Sequence, residues 1–194
     1  MSEPAATVAK QALRDQLLAA RRSLDVATLG AAGRSLAAVV LEMPEVRRAA
    51  TVAAYVSVGS EPGTGALLEG LLHAGKRVLL PVLLPDNDLD WAVLTAVDEL
   101  AAARRGLLEP TGPRLGREAI ATAEVLLVPG LAVGADGARM GKGGGSYDRA
   151  LNRSAPDAFV CALLHDGELL ASVPSEPHDV PVAAAATPSG VTRF

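Results

Sequence analysis

The sequence predicts an α/β fold: a three-layer, Rossmann-like open sheet, mostly parallel, with helices on both faces. Two observations carry this. Short apolar runs of alanine, leucine and valine alternate with segments of helical period, the pattern of strands joined by crossover helices. Glycine and proline clusters fall between these segments, and no linker, repeat or low-complexity block separates them. A chain of 194 residues buries a proper core, so one domain over 1–194 is expected.

Residues 4–24 read as a helix, because Leu13, Leu17 and Leu18 share a face while Lys10, Arg14, Arg21 and Arg22 are polar. A second helix covers 25–42, capped by Asp25 and ended near Pro44. Residues 50–56 form a buried strand, and Gly59 to Gly63 break the chain. Thr64 caps a helix running to His73, with Gly75 as its stop. Residues 77–80 and 91–94 are strands, 96–104 are helical and 106–118 rich in turns. Strand 125–128 leads into a glycine loop, and helix resumes over 146–152. Residues 159–164 and 182–187 complete the strands. Trp91 reads as core; His73, His165 and Asp166 receive no role.

Hydrophobic residues make up 49% of the chain and aromatics only 3%, so the core is aliphatic. A net charge of −4 argues against a nucleic-acid partner but leaves room for a local basic pocket. The single cysteine, Cys161, excludes an intrachain disulfide framework and reads as a buried strand thiol. The sequence shows neither a cationic-then-apolar leader nor an apolar run near the roughly 20 residues of a membrane span. The expectation is a cytoplasmic monomer with small-molecule partners and no membrane contact.

The most informative stretch is Gly137 to Arg149, with five glycines in thirteen residues. A Walker loop fails on spacing: three residues, not four, separate Gly137 from Gly141, and Gly143 stands where a hydroxyl is required. A dinucleotide fingerprint counted from Gly141 fails at Ser146, its sixth position. A flexible surface turn does not need three consecutive glycines before Tyr147, Asp148 and Arg149. The composition instead suits a phosphate cradle. Gly143, Gly144 and Gly145 turn successive N–H groups into one concavity. Lys142 adds a mobile cation and Arg139 a forked donor. Asp148 supplies a carboxylate for Mg²⁺ beside the phosphates.

The run from Val128 to Arg149, Val-Pro-Gly-Leu-Ala-Val-Gly-Ala-Asp-Gly-Ala-Arg-Met-Gly-Lys-Gly-Gly-Gly-Ser-Tyr-Asp-Arg, resembles the signature of 5-formyltetrahydrofolate cyclo-ligases. Four shorter motifs lie in the family's order: Lys10-x-x-Leu13-Arg14, Glu61-Pro62-Gly63-Thr64, Glu109-Pro110 and Pro174-x-x-x-His178-Asp179. The resemblance implies ATP- and Mg²⁺-dependent conversion of 5-formyltetrahydrofolate to 5,10-methenyltetrahydrofolate, with ADP and phosphate released. It implies that Lys10, Arg14, Arg139, Gly141, Lys142, Gly143, Gly144, Gly145, Ser146 and Tyr147 bind ATP, with Arg139 and Lys142 catalytic. Val56, Glu61, Lys142 and Ser146 would bind the folate, and Asp148 and Asp179 the metal.

Three departures stand out. Ser146 occupies the first position of the family's Tyr-Tyr-Asp, Thr187-Pro188 replaces a Thr-Glu, and Glu168 replaces a frequent Gln. Two other classes stay open at this level: a noncatalytic nucleotide or folate sensor, and a sugar-phosphate isomerase or coenzyme A transferase of related architecture.

Overall fold

The structure, a computed structural model, describes residues 3–176 and 179–194, and the side chains of all these from residue 8 onward. His178 of the C-terminal motif lies outside the described residues. In chain order the elements are α1 (Glu3–Arg22), α2 (Val26–Leu41), α3 (Pro44–Arg48), β1 (Thr51–Ala53), α4 (Gly65–His73), β2 (Arg77–Leu83), β3 (Leu89–Leu94), β4 (Leu100–Ala102), β5 (Leu108–Pro110), β6 (Val125–Pro129), β7 (Ala132–Gly134), β8 (Arg139–Met140), α5 (Ser146–Leu151), β9 (Phe159–Leu163), β10 (Leu169–Leu170), β11 (Ala184–Thr187) and β12 (Gly190–Arg193).

Seven strands form the main sheet in the order β12-β11-β9-β6-β1-β2-β3. The five inner strands, from β11 to β2, pair in parallel, while β3 and β12 add antiparallel edges. Among the parallel strands the order reverses between β1 and β6, each of which starts a run toward a different edge. Such a switch point opens a crevice at the carboxyl ends of the two strands, because their connections leave in opposite directions.

The sheet is covered on both faces. On one, Leu36, Val40, Leu67, Leu68 and Leu71 of α2 and α4 pack against inward residues such as Val52, Val78 and Leu127, all almost fully buried. Each such side chain stabilises the fold by about 1.5–3 kcal/mol. The other face is thinner, covered by α5, a 3-10 turn at Arg117–Thr122 and Trp91. Cys161 is buried on β9, where desolvation pushes its thiol up to about 12. Helix α1 seats Leu17 against Leu131, Ala132, Met140 and Val173, over a second, three-stranded sheet of order β10-β7-β8.

Local chemistry explains most boundaries. Asp25 caps α2, its carboxylate accepting from the Thr28 N–H at 2.7 Å. Pro44 begins α3, where a missing N–H costs nothing. Thr64 precedes α4 without capping it through its side chain. Its hydroxyl instead accepts from the Ser57 N–H at 2.9 Å, and Thr64 N–H donates to the Ser57 hydroxyl at 3.1 Å. This exchange fastens the β1–α4 loop.

The segment read as helix over 96–104 is not one. Residues 96–104 are a 3-10 turn at Val97–Glu99 followed by β4, which pairs antiparallel with β5. Ala101 and Ala102 are exposed, so a helix here has no apolar stripe to bury, and a short helix without one is marginal. The β7–β8 hairpin and β12 are too short for a visible period. No single helix among the described residues is long and apolar enough to cross a membrane.

Candidate functional site

A cavity of about 430 Å³ lies at the switch point. Tyr55, Val56, Val58 and Glu61, just after β1, form part of its lining, and Pro129 and Gly130, at the end of β6, form another. All fourteen residues singled out from the sequence line this one cavity: Lys10, Arg14, Val56, Glu61, Arg139, the run Gly141 to Asp148, and Asp179.

One wall is charged. Lys10 is only 4% exposed, and its ammonium donates to Asp179 Oδ2 at 2.6 Å and Glu176 Oε2 at 2.9 Å. Burial alone would lower this ammonium's pKa, but the two carboxylate contacts outweigh it and hold the group above its ordinary range. Arg14, one turn along α1, donates from Nε to the Gly141 carbonyl at 3.1 Å. Arg139, also buried, donates to Asp148 Oδ1 at 2.6 Å and to the Pro129 carbonyl at 3.2 Å. The N–H of Val180 reaches the same Asp148 oxygen at 3.4 Å, which brings the segment carrying Asp179 beside Asp148.

The glycine loop crosses the cavity from this wall. Gly143 and Gly145 take left-handed φ values of 94° and 66°. The Arg14 guanidinium lies over Gly143, where a Cβ would sit in ordinary contact at 3.4 Å, so it is the left-handed φ rather than space that calls for glycine here. Among the described residues, no protein group accepts from the N–H groups of Lys142, Gly143, Gly144 or Gly145. These donors line the cavity and suit an anion.

At its far end the loop is tied down. Ser146 Oγ donates to the Asn87 carbonyl at 2.6 Å, and Arg149 donates to the same oxygen at 2.7 Å. Asn87 itself sits at φ 62°, in the β2–β3 turn. Asp88 beside it is nearly buried and paired with Arg153 at 2.7 Å and Arg117 at 2.9 Å. Burial alone would raise the Asp88 carboxyl, yet these cations and the Leu89 N–H hold it below the usual carboxylate range.

The opposite wall is apolar, built from Pro81, Leu83 and Leu89 of β2 and β3, from Leu108 at the start of β5 and from Leu107 before it. Glu109 anchors this part: its carboxylate accepts from the Leu83 N–H at 2.9 Å. Between the walls, Lys142 and Glu61 form an ion pair of 2.5 Å across 81 positions of sequence. Glu61 is held from behind by the Val58 N–H at 2.9 Å. His165, given no role from sequence, is buried and its Nε2 meets the Ser60 carbonyl at 3.0 Å, supporting the same loop.

Sequence reasoning missed Tyr55, Glu176 and the β4–β5 residues of the lining. Tyr55 is buried and Tyr147 half-buried, and desolvation keeps both phenols neutral, well above their ordinary range. Glu176 lay inside a quoted motif, and its meeting with Lys10 depends on α1 reaching the C-terminal segment. Arg105 fell just past the 96–104 segment read as helix, and Leu107 and Leu108 in the 106–118 stretch read as rich in turns.

The carboxylates fit a hard divalent cation in part. Asp148 and Asp179 line one cavity on adjoining backbone, and two carboxylates beside phosphate oxygens are what Mg²⁺ ordinarily takes. Both described Asp148 bonds fall on Oδ1, leaving Oδ2 to such an ion.

Comparison with known proteins decides the family. The sequence model of the 5-formyltetrahydrofolate cyclo-ligase family matches residues 6–188. The chain belongs to the 5-formyltetrahydrofolate cyclo-ligase family. A Mycolicibacterium smegmatis 5-formyltetrahydrofolate cyclo-ligase is 45% identical over 184 residues, covering 92% of this chain and 93% of that protein. An Escherichia coli K12 protein of the same name is 34% identical over 181 residues, covering 90% and 97%. In fold, the chain is similar to the Aquifex aeolicus 5,10-methenyltetrahydrofolate synthetase, with TM-score 0.81, 24% identity, and 95% and 92% of the two chains covered. Members of this cyclo-ligase family are enzymes of the ligase class.

Within that family, two of the departures now have a structural account. Ser146 supplies the hydrogen bond that seats the glycine loop on the β2–β3 turn. Glu168 is buried and takes both forks of Arg21, at 2.6 and 2.7 Å, while Arg21 also donates to the Gly130 carbonyl at 2.6 Å. The charge at 168 is therefore matched by a buried arginine on α1. Nothing in the structure explains Pro188.

Proposed function

We propose that the chain converts 5-formyltetrahydrofolate to 5,10-methenyltetrahydrofolate, with ATP cleaved to ADP and phosphate. The observation that carries this reading is one cavity with two unlike walls joined by the Lys142–Glu61 pair. A triphosphate is matched by the cations and unpartnered N–H groups of the first wall. The pterin and benzoyl rings are matched by the aliphatic second wall.

The chemistry sets what the residues must do. An N-formyl oxygen is a poor leaving group, and ring closure has to expel it. The formyl oxygen attacks the γ-phosphorus of ATP, the bond to ADP breaks, and an iminium phosphate remains on N5. N10 then attacks the activated carbon, and phosphate leaves as the N10 proton is lost. The 5,10-methenyl cation results.

The chain contributes positioning and charge stabilisation rather than a nucleophile. In our reading, Lys142 leaves Glu61 when substrates enter and meets the oxygen passing between carbon and phosphorus. Glu61 then accepts from the pterin N–H and amino groups, with Val56 against the ring. The loop N–H groups from Gly141 to Tyr147 hold the phosphates, with Arg14 closing over Gly143. Arg139 orients Asp148, and Lys10 orients Asp179. Mg²⁺, held by Asp148 and Asp179, would neutralise phosphate charge. The protein works as a monomer.

The test is direct. Purified protein with ATP, Mg²⁺ and 5-formyltetrahydrofolate should develop the near-ultraviolet absorbance of the methenyl product together with ADP. Binding of ATP and folate without product or ADP would favour the noncatalytic sensor and overturn the proposal.

A further inference from the structure

The β4–β5 hairpin carries a feature that the reaction itself does not use. Its tip is Arg104-Arg105-Gly106, and both arginines are exposed. Arg105 lines the cavity and holds a left-handed φ of 58°, a conformation disfavoured for a residue with a side chain. Among the described residues neither guanidinium has a carboxylate or carbonyl partner, although the chain carries 22 acidic residues against 18 basic ones. The nearby Glu109 does not neutralise them, since its carboxylate is held by the Leu83 N–H and lies 3.7 Å from Arg114. Directly beside the tip, Leu107 and Leu108 face the same cavity, and Leu108 is 44% exposed.

An apolar shelf that ends in two unpartnered cations matches one kind of ligand: an aromatic or aliphatic body that ends in carboxylates. We propose that this hairpin tip reads the anionic tail of the substrate. The benzoyl ring lies on Leu107 and Leu108, and Arg105, seconded by Arg104, pairs with the glutamyl carboxylates beyond it. The inference rests on the folate reading and deepens it, assigning Arg105 as a specificity residue for tail charge. The planar guanidinium suits bidentate pairing with a carboxylate. At an exposed rim the attraction is screened by salt, so the gain grows with the number of carboxylates and falls with ionic strength.

The experiment compares mono- and triglutamyl 5-formyltetrahydrofolate as substrates for wild type, Arg105→Gln, Arg105→Lys and the double variant Arg104→Gln/Arg105→Gln. Wild type should show the lower KM for the triglutamyl form. The double variant should raise that KM about tenfold, with kcat and the KM for ATP unchanged. Arg105→Lys, which keeps the charge but not the fork, should fall between wild type and Arg105→Gln. Titration of p-aminobenzoyl-triglutamate by calorimetry, without ATP, gives a readout independent of turnover. It should show binding to wild type that weakens in the double variant and with added salt. Equal KM ratios for the two substrates in wild type and double variant would overturn the proposal. So would a rise in the KM for ATP alone, which would place the arginines on the triphosphate instead. Absence of any turnover by wild type would fail the folate reading; in that case, equal tail binding by wild type and double variant would separately fail this one.

Discussion

Replacing Lys142 by alanine separates catalytic importance from structural importance more cleanly than any other change in the site. The Lys142 side chain is 53% exposed, and its described partner is Glu61. An exposed ion pair contributes about 0–1 kcal/mol, so Lys142→Ala should lower unfolding stability by no more than that. Glu61, only 10% exposed, keeps the Val58 N–H and so is not stranded without a partner. Catalysis should respond very differently. A charge that stabilises oxygen in transit between carbon and phosphorus contributes on the order of 2.7–4 kcal/mol, a loss of about 10²–10³ in kcat. Steady-state assay of methenyl product and urea denaturation on the same preparation measure both quantities. Wild-type turnover in Lys142→Ala would refute the assignment. A large loss of stability accompanying the lost activity would refute the argument that the pair is structurally dispensable.

Other consequences follow from the packing. Arg21→Met should destabilise the fold by about 3–5 kcal/mol in urea denaturation, because buried Glu168 loses its counter-charge and keeps only the His165 N–H; Arg21→Met with Glu168→Leu should recover much of that loss. Asp88 has a depressed carboxyl, so its stabilisation is fully present above its unfolded pKa and fades as pH falls through the lower folded value. Asp88→Asn should therefore cost about 1.5–3 kcal/mol at neutral pH and flatten the loss of stability below pH about 4, read by denaturant midpoints across pH. Gly137→Ala should cost about 1–3 kcal/mol, since φ is 78° and the new Cβ would lie 2.7 Å from the Val182 carbonyl. Gly59→Ala, at φ 62° with open space around it, should cost less by the same measurement.

Much of this was legible in the sequence, for identifiable reasons. The inner strands announced themselves as apolar runs because parallel strands are buried on both faces. The glycine loop announced itself because closely approaching backbone leaves a run of residues without side chains. What stayed hidden depended on distance along the chain. Lys10 looks like a solvated helix residue until α1 is docked, and then it lies between Glu176 and Asp179. Ser146 looked like a missing tyrosine, and its partner Asn87 sits 59 positions away. Strand β4 was misread as helix because alanines at 101–103 favour helix locally, while the outcome was decided by pairing of Leu100 with Pro110.

The central claim is that one cavity holds folate and nucleotide together, so that the formyl oxygen is transferred to phosphorus. Substrate carrying ¹⁸O in the formyl group tests it most directly, with mass analysis of the phosphate released in a single turnover. The account predicts one labelled oxygen in each phosphate formed with methenyl product. Label recovered in water, with unlabelled phosphate, would contradict it.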